Sequence, residues 1–239
     1  MATPAAVEVL FDQTLLALRK SALLASCAWQ DASSLHLARL VRHWAGMRDL
    51  VGQQQGYLSG YAWCLLAVFY CQCHLGLRRL RPRSASDHSA FGPRRLLVRA
   101  GDSALGAGSG VESAEDALAL LPGFFVFYST DFDWQLEVVS PRLGHRALRR
   151  VPPEMGTPAT LCVEDPVEPD VDLAGPYLNS HRNARLRAEF RRAARLVLLA
   201  EGRSTIGALT MRDRASGGDA SLDAGLWQAL FRKRLLKAG

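Results

Sequence analysis

The stretch YAWCLLAVFYCQCHLGL, Tyr61 to Leu77, decides the fold. Apolar residues occupy nearly every position, so a helix made from it has no polar face to turn toward water and belongs at the centre of a helical bundle. Counted from Tyr57, the apolar run ends at Cys71 and meets Gln72 and His74 soon after. That is short of the roughly 20 residues needed to cross a bilayer, so the segment reads as protein core, and no membrane span is expected. Ser59 stands where a hydroxyl can cap the helix, and Gly52 to Gly56 reads as the turn before it.

The pattern continues outward on both sides. From Asp31, the residues Leu37, Leu40, Val41 and Trp44 recur three and four apart and form one buried stripe, with Arg39, Arg42 and His43 on the neighbouring faces. Asp12 to Cys27 has helical spacing, and Val7 to Phe11 alternates weakly as a short strand. Downstream, Arg78 to Gly110 turns basic and then rich in Gly, Ser and Ala, which reads as an inserted loop. Ser113 and Asp116 then start a helix carrying Leu118, Leu121, Phe125 and Tyr128, with a kink expected at Pro122. Val138 and Val139 signal a short strand, and Pro152 to Pro176 is irregular. Ser180 opens a helix through about Leu199, with Gly202 near its end. Gly207 to Gly218 is a linker, and Leu222 to Leu236 is a terminal amphipathic helix. The expected class is mainly α with a few short strands. The expected division is 1–12, a helical domain 13–205 with its inserted loop 78–110, and 206–239.

With 49% hydrophobic and 22% charged residues, the 239-residue chain can bury a sizeable core, which excludes disordered and fibrous classes. The net charge of +6 is carried almost wholly by arginine, since only Lys20, Lys233 and Lys237 are lysines. A guanidinium fork matches phosphate oxygens, which favours a nucleotide or nucleic-acid partner; a genome-wide bias toward arginine codons gives the same composition. The five cysteines are odd in number and mostly set in apolar stretches, as expected of buried thiols in a reducing, intracellular compartment. Cys71, Cys73 and His74 lack the second pair that a tetrahedral zinc site requires. Glu8 and Asp12 near the start, without an apolar run, give no sign of a secretory or transit leader.

Four segments then occur in order. They are Asp31 to Ala45 with Leu40-Val41-Arg42-His43-Trp44-Ala45; Gly56, Leu58, Ser59 and Tyr61; Leu120 to Trp134 with Phe124, Phe125, Tyr128, Phe132, Asp133 and Trp134; and Cys162 to Ala174 with Glu164, Asp165, Pro166, Glu168, Asp172 and Leu173. Their order and spacing resemble the central and PAP-associated domains of noncanonical poly(A) polymerases and terminal uridylyltransferases, which add nucleotides to RNA 3' ends without a template. Singly, each has a plainer reading: tryptophan and tyrosine at helical spacing are usually core, and Glu-Asp-Pro is a common turn.

The resemblance implies two divalent ions, Mg²⁺ or Mn²⁺, held by three carboxylates, with UTP (or ATP) as substrate and an RNA 3' end as partner. The family's third carboxylate falls on Glu8 of Val7-Glu8-Val9, which is either a metal ligand or an exposed strand residue. Residues 1–12 then correspond to a remnant strand of the catalytic domain, and the first two carboxylates have no counterpart. The chain alone is accordingly expected not to extend RNA. Tyr61 matches the tyrosine on which the base stacks, Arg42 a triphosphate-binding lysine, Ser21 a hydroxyl near the sugar and phosphates, and Ser59 the turn serine. The family's ribose-side asparagine falls on Lys20, its second phosphate lysine on Gly46 and its second turn serine on Gly60; Lys20 or Arg48 is placed to reach the phosphate oxygens instead. Asp165 and Glu168 match an acidic pair that reads the uracil edge and also occurs in adenylyl-transferring relatives, and Val171 stands where some uridylyltransferases carry a histidine. Base choice is therefore weakly determined by the resemblance, with uridylyl transfer taken ahead of adenylyl. The alternative is a non-catalytic RNA-binding or scaffold module that keeps the fold, its protein partner unspecified.

Overall fold

The apolar segment folds as a helix capped by its own serine. In the computed structural model, which describes residues 15–26, 31–81, 109–151, 160–210 and 224–232, the Ser59 hydroxyl accepts from the Ala62 amide at 3.1 Å and opens the helix Gly60–Leu75. Its left-handed C-terminal residue is Gly76. Before it lie α1, residues 15–26, and α2, Ala32–Met47, with the apolar helix as α3. After it come α4, Ser109–Val126, a π-helical turn at Phe127–Asp131, strands β1 (Glu137–Val138) and β2 (Ala147–Leu148), α5, Ser180–Thr210, and α6, Ala224–Phe231. The architecture is mainly helical, with β1 and β2 forming an antiparallel pair in which Glu137 faces Leu148. No described helix is long and apolar enough to cross a membrane.

α3 is buried around its circumference, from Ala62 and Trp63 through Leu65 to Gln72, and α2 packs against both α3 and α4. At the junction, Trp44 of α2 meets Trp63 of α3 edge-on at 5.8 Å and Phe125 of α4 at 4.7 Å. Phe190 of α5 completes the group against Trp44, Trp63, Phe124, Tyr128 and Trp134. Three of these rings have their polar ends satisfied by backbone: Trp63 Nε1 donates to the Leu50 carbonyl, Tyr128 Oη to that of Leu66, and Trp134 Nε1 to that of Tyr128. Gly123 lets α4 close on α3, because a Cβ there would collide with the Tyr70 hydroxyl.

Several boundaries differ from the sequence expectation. The inserted loop does not begin loosely at Arg78. Leu80 is buried and its amide donates to the Pro141 carbonyl, while Gln72 Nε2 donates to the carbonyls of Arg78 and Pro141. Residues 82–108 of that loop lie outside the described set, as do the strand expected near Val7 and the irregular stretch 152–159. α4 starts at Ser109, ahead of the expected Ser113. It runs through Pro122 without ending, and the departure from α geometry comes further on, where the Phe132 amide reaches back five residues to the Phe127 carbonyl. α5 passes Gly202 and reaches Thr210.

Candidate functional site

The start of α3, the middle of α1 and the Glu-Asp-Pro loop meet at one place. The loop is fixed from both sides before any side chain is considered. Val139, just past β1, bridges to Val163, with its amide donating to the Cys162 carbonyl and its carbonyl accepting from the Glu164 amide. Glu164 and Asp172 form a second bridge, and Asp172 Oδ1 accepts from the amides of Val163 and Ala174. Glu164 is spent on structure, its two oxygens holding the Arg142 guanidinium at 2.6 and 3.1 Å and the first also accepting from Ser140. Between these anchors the Asp165 amide donates to Val171 and the Val171 amide to Glu168, a tight loop that projects Asp165 and Glu168 together.

Asp165 is fully buried, and its Oδ1 accepts from the Val167 amide at 2.9 Å and from the Tyr61 hydroxyl at 3.4 Å. Its Oδ2 is 2.7 Å from the Lys20 ammonium, which also stands 3.2 Å from Glu168 Oε2. The same ammonium lies 5.7 Å from the centroid of the Tyr61 ring, within the range at which a cation addresses an aromatic face. Burial alone would lower the Lys20 pKa, but the carboxylates of Asp165 and Glu168 outweigh it and raise the value above 10.5. The lysine is therefore charged at neutral pH.

The structure thus brings Tyr61, Asp165 and Glu168 together, as their assignment to one base site requires. Ser59 is adjacent, with its hydroxyl oxygen engaged in capping α3. Arg42 is exposed on α2 and its side chain lies over the start of α3: a Cβ at Gly60 would come within 3.0 Å of Arg42 Nε. Glycine at the second turn position is what makes room for that guanidinium. Ser21 is exposed on α1, next to Lys20. Glu8 lies outside the described residues. Arg48 is a correction: it is buried against Glu189, with Nε and one terminal nitrogen each 2.9 Å from a carboxylate oxygen, and is not available to a phosphate. The Lys20 ammonium reaches the acidic pair, a placement that depends on how α1 docks beside the loop.

Residues 119–171 match the family model described as Cid1 family poly A polymerase, a span that contains the Phe124–Trp134 segment and both Asp165 and Glu168. The chain is 24% identical to the poly(A) RNA polymerase GLD2 of Bos taurus over 160 residues, covering 64% of this chain and 32% of that protein. Among solved structures, RNA Editing TUTase 1 from Trypanosoma brucei in complex with UTP superposes with a TM-score of 0.59 at 24% identity, covering 74% of this chain and 39% of the other. Terminal uridylyl transferase 4 from Trypanosoma brucei with bound CTP also gives 0.59, at 19% identity, covering 76% and 60%. The chain is thus similar to noncanonical poly(A) polymerases and shares its fold with terminal uridylyl transferases.

It spans about a third of the length of the curated family members it matches. Among the described residues no group of three or more His, Cys, Asp or Glu is placed to hold a metal ion, so the described part offers no donor set for the metal pair such chemistry uses. The described site gathers one aromatic ring, two carboxylates and an ammonium.

Proposed function

We propose that this chain supplies the nucleotide-base and RNA-binding portion of a template-independent RNA 3'-terminal nucleotidyltransferase, with uridylyl rather than adenylyl transfer as its chemistry. The observation that carries the proposal is the meeting of Tyr61 with Asp165 across 104 residues of sequence, at 3.4 Å, with Glu168 joined to the same site through Lys20. A ring available for stacking, beside acceptors fixed by a pinned loop, is what a base needs in order to be held and read. Arg42 at the start of α3 adds a cation on the side where a triphosphate would extend, and the arginine-rich surface suits an RNA strand.

The nucleoside triphosphate and the RNA 3' end are the partners in this reading. Divalent-metal dependence would be carried by residues outside the described set, Glu8 among them. Free thiols at Cys64, Cys71, Cys73 and Cys162 accord with a reducing, intracellular setting.

Calorimetric titration of the purified chain with UTP and with ATP tests the reading. UTP is expected to bind more tightly, and Tyr61→Ala to weaken it. Equal binding of the two nucleotides, unaffected by Asp165→Ala, would remove the base-reading role. An extension assay with oligo-RNA, Mg²⁺ or Mn²⁺ and each nucleoside triphosphate is expected to show no added nucleotide from this chain alone.

A further inference from the structure

In the described site the two carboxylates are not bare. Both oxygens of Asp165 are occupied, Oδ1 by the Val167 amide and the Tyr61 hydroxyl and Oδ2 by Lys20, and Lys20 also takes one oxygen of Glu168. An ammonium carries three N–H donors and no acceptor, and here it stands in ion-pair contact with two carboxylates, so a donor is left for a ligand. The Lys20 side chain keeps 21% of its surface exposed and Glu168 keeps 43%, while Asp165 keeps none. What an incoming base meets is therefore a donor from Lys20 beside the remaining acceptor of Glu168. The buried Asp165 acts behind them, as the charge that holds the ammonium in place.

We propose that Lys20 selects the base: its ammonium, held between Asp165 and Glu168 beside the Tyr61 ring, donates to a ring carbonyl of the nucleotide and so favours keto pyrimidines over bases with an amino group at that edge. The inference rests on the nucleotide reading above and assigns its specificity to a residue outside the acidic pair. Uracil presents carbonyl, N–H, carbonyl along its pairing edge, which complements an ammonium next to a carboxylate. Cytosine replaces one of those carbonyls with an amino group, and adenine carries an amino group and no carbonyl, so either would point hydrogens at an ammonium whose displacement leaves Asp165 buried without its counter-charge. Two donors facing each other with no acceptor between them is the arrangement a polar site rejects most strongly.

UTP and CTP share everything but that edge, so titrating the 239-residue chain with each isolates the effect. The wild-type protein is expected to bind UTP roughly tenfold more tightly than CTP, the size of one hydrogen bond to a charged group. Lys20→Met should bring the two affinities together, and Lys20→Arg, which keeps a donor, should leave UTP ahead; thermal melts of both variants establish that they are folded. Equal affinities in the wild-type protein, a preference for CTP, or a UTP preference that survives in folded Lys20→Met would overturn the role of Lys20 while leaving the nucleotide site standing. Failure of the wild-type chain to bind either nucleotide would overturn both.

Discussion

Two acid–base contacts tie distant parts of this chain together, and they are built in opposite ways. Arg48 and Glu189 meet fork to fork with two 2.9 Å bonds, and the side chains retain only 9% and 10% of their exposure. The remaining Arg48 nitrogen donates to the Arg232 carbonyl, and the Arg48 carbonyl accepts from Arg185, which also reaches the Tyr57 hydroxyl. Protein surrounds nearly all of that pair, which joins the end of α2, α5 and the end of α6. At the other contact a flexible lysine brings a single point charge to one buried and one half-exposed carboxylate, and water reaches the ammonium. The first pair has no route by which a ligand can replace a partner. The second has, and exposure together with donor geometry decides which contact locks the fold and which can read a base.

The largest effect should follow from breaking the closed pair. Glu189→Ala leaves the Arg48 guanidinium buried and removes the carboxylate that offsets Arg192, whose pKa is lowered by burial and then by Arg48. A loss of about 3–5 kcal/mol is expected, read as a shift of the urea midpoint by circular dichroism. Lys20→Met should cost less, because the Lys20 side chain is 21% exposed against 9% for Arg48, so water can reach the contact that it leaves. A larger loss from Lys20→Met than from Glu189→Ala would reverse the distinction between the two contacts.

Next in size is the effect on ligand binding, which should appear at the open site alone. Tyr61→Ala removes the stacking face and is expected to weaken UTP binding by about 1–3 kcal/mol. The core below it, centred on Trp63 and Phe190, is unchanged. Equal loss of affinity on removing a clamp residue in a variant that still folds would show that the clamp also shapes the recess.

The open site was partly legible in the sequence and the clamp was not, for physical reasons. Tyr61 follows a helix-capping serine and Asp165 sits in a short turn, so local patterns mark both, and their meeting follows once the segments share one fold. Arg48 follows the last residue of α2 and Glu189 lies on α5, one arginine and one glutamate 141 residues apart, with nothing local to distinguish them from solvated surface charges. Lys20 was visible as a departure from the resemblance, but which oxygens it reaches depends on how α1 docks beside the 165–168 loop. The stretch expected to form the central helix, Tyr61 to Leu77, does so as far as Leu75, because a segment apolar on all sides has one place to go. Local stop signals were weaker guides. Gly202 and Gly207 each cost a helix only about 1 kcal/mol, and one already twenty residues long adds a hydrogen bond with each further residue, so α5 continues to Thr210.

The smallest effect separates the two contacts by pH. Lys20 has its pKa raised above 10.5 in the folded chain, the carboxylates of Asp165 and Glu168 overcoming the lowering due to burial. Its stabilising contribution is therefore complete below the ordinary lysine value and is lost as pH rises through the folded one. Other groups titrate in the same window. Burial pushes Cys73 up to about 11, and Tyr70 and Cys162 up to about 12, so an unfolded chain loses those protons first and alkali destabilises the fold regardless of Lys20. The difference between wild type and Lys20→Met cancels that background. Measured by urea unfolding, the wild-type advantage should be constant from pH 7 to about pH 10 and shrink above it, as the amine becomes neutral in both states. The gap between wild type and Glu189→Ala should hold over the same range, because an arginine keeps its proton there. A Lys20→Met gap that stays constant to pH 12 would mean that packing of the lysine stem, and not its charge, holds α1 against the loop.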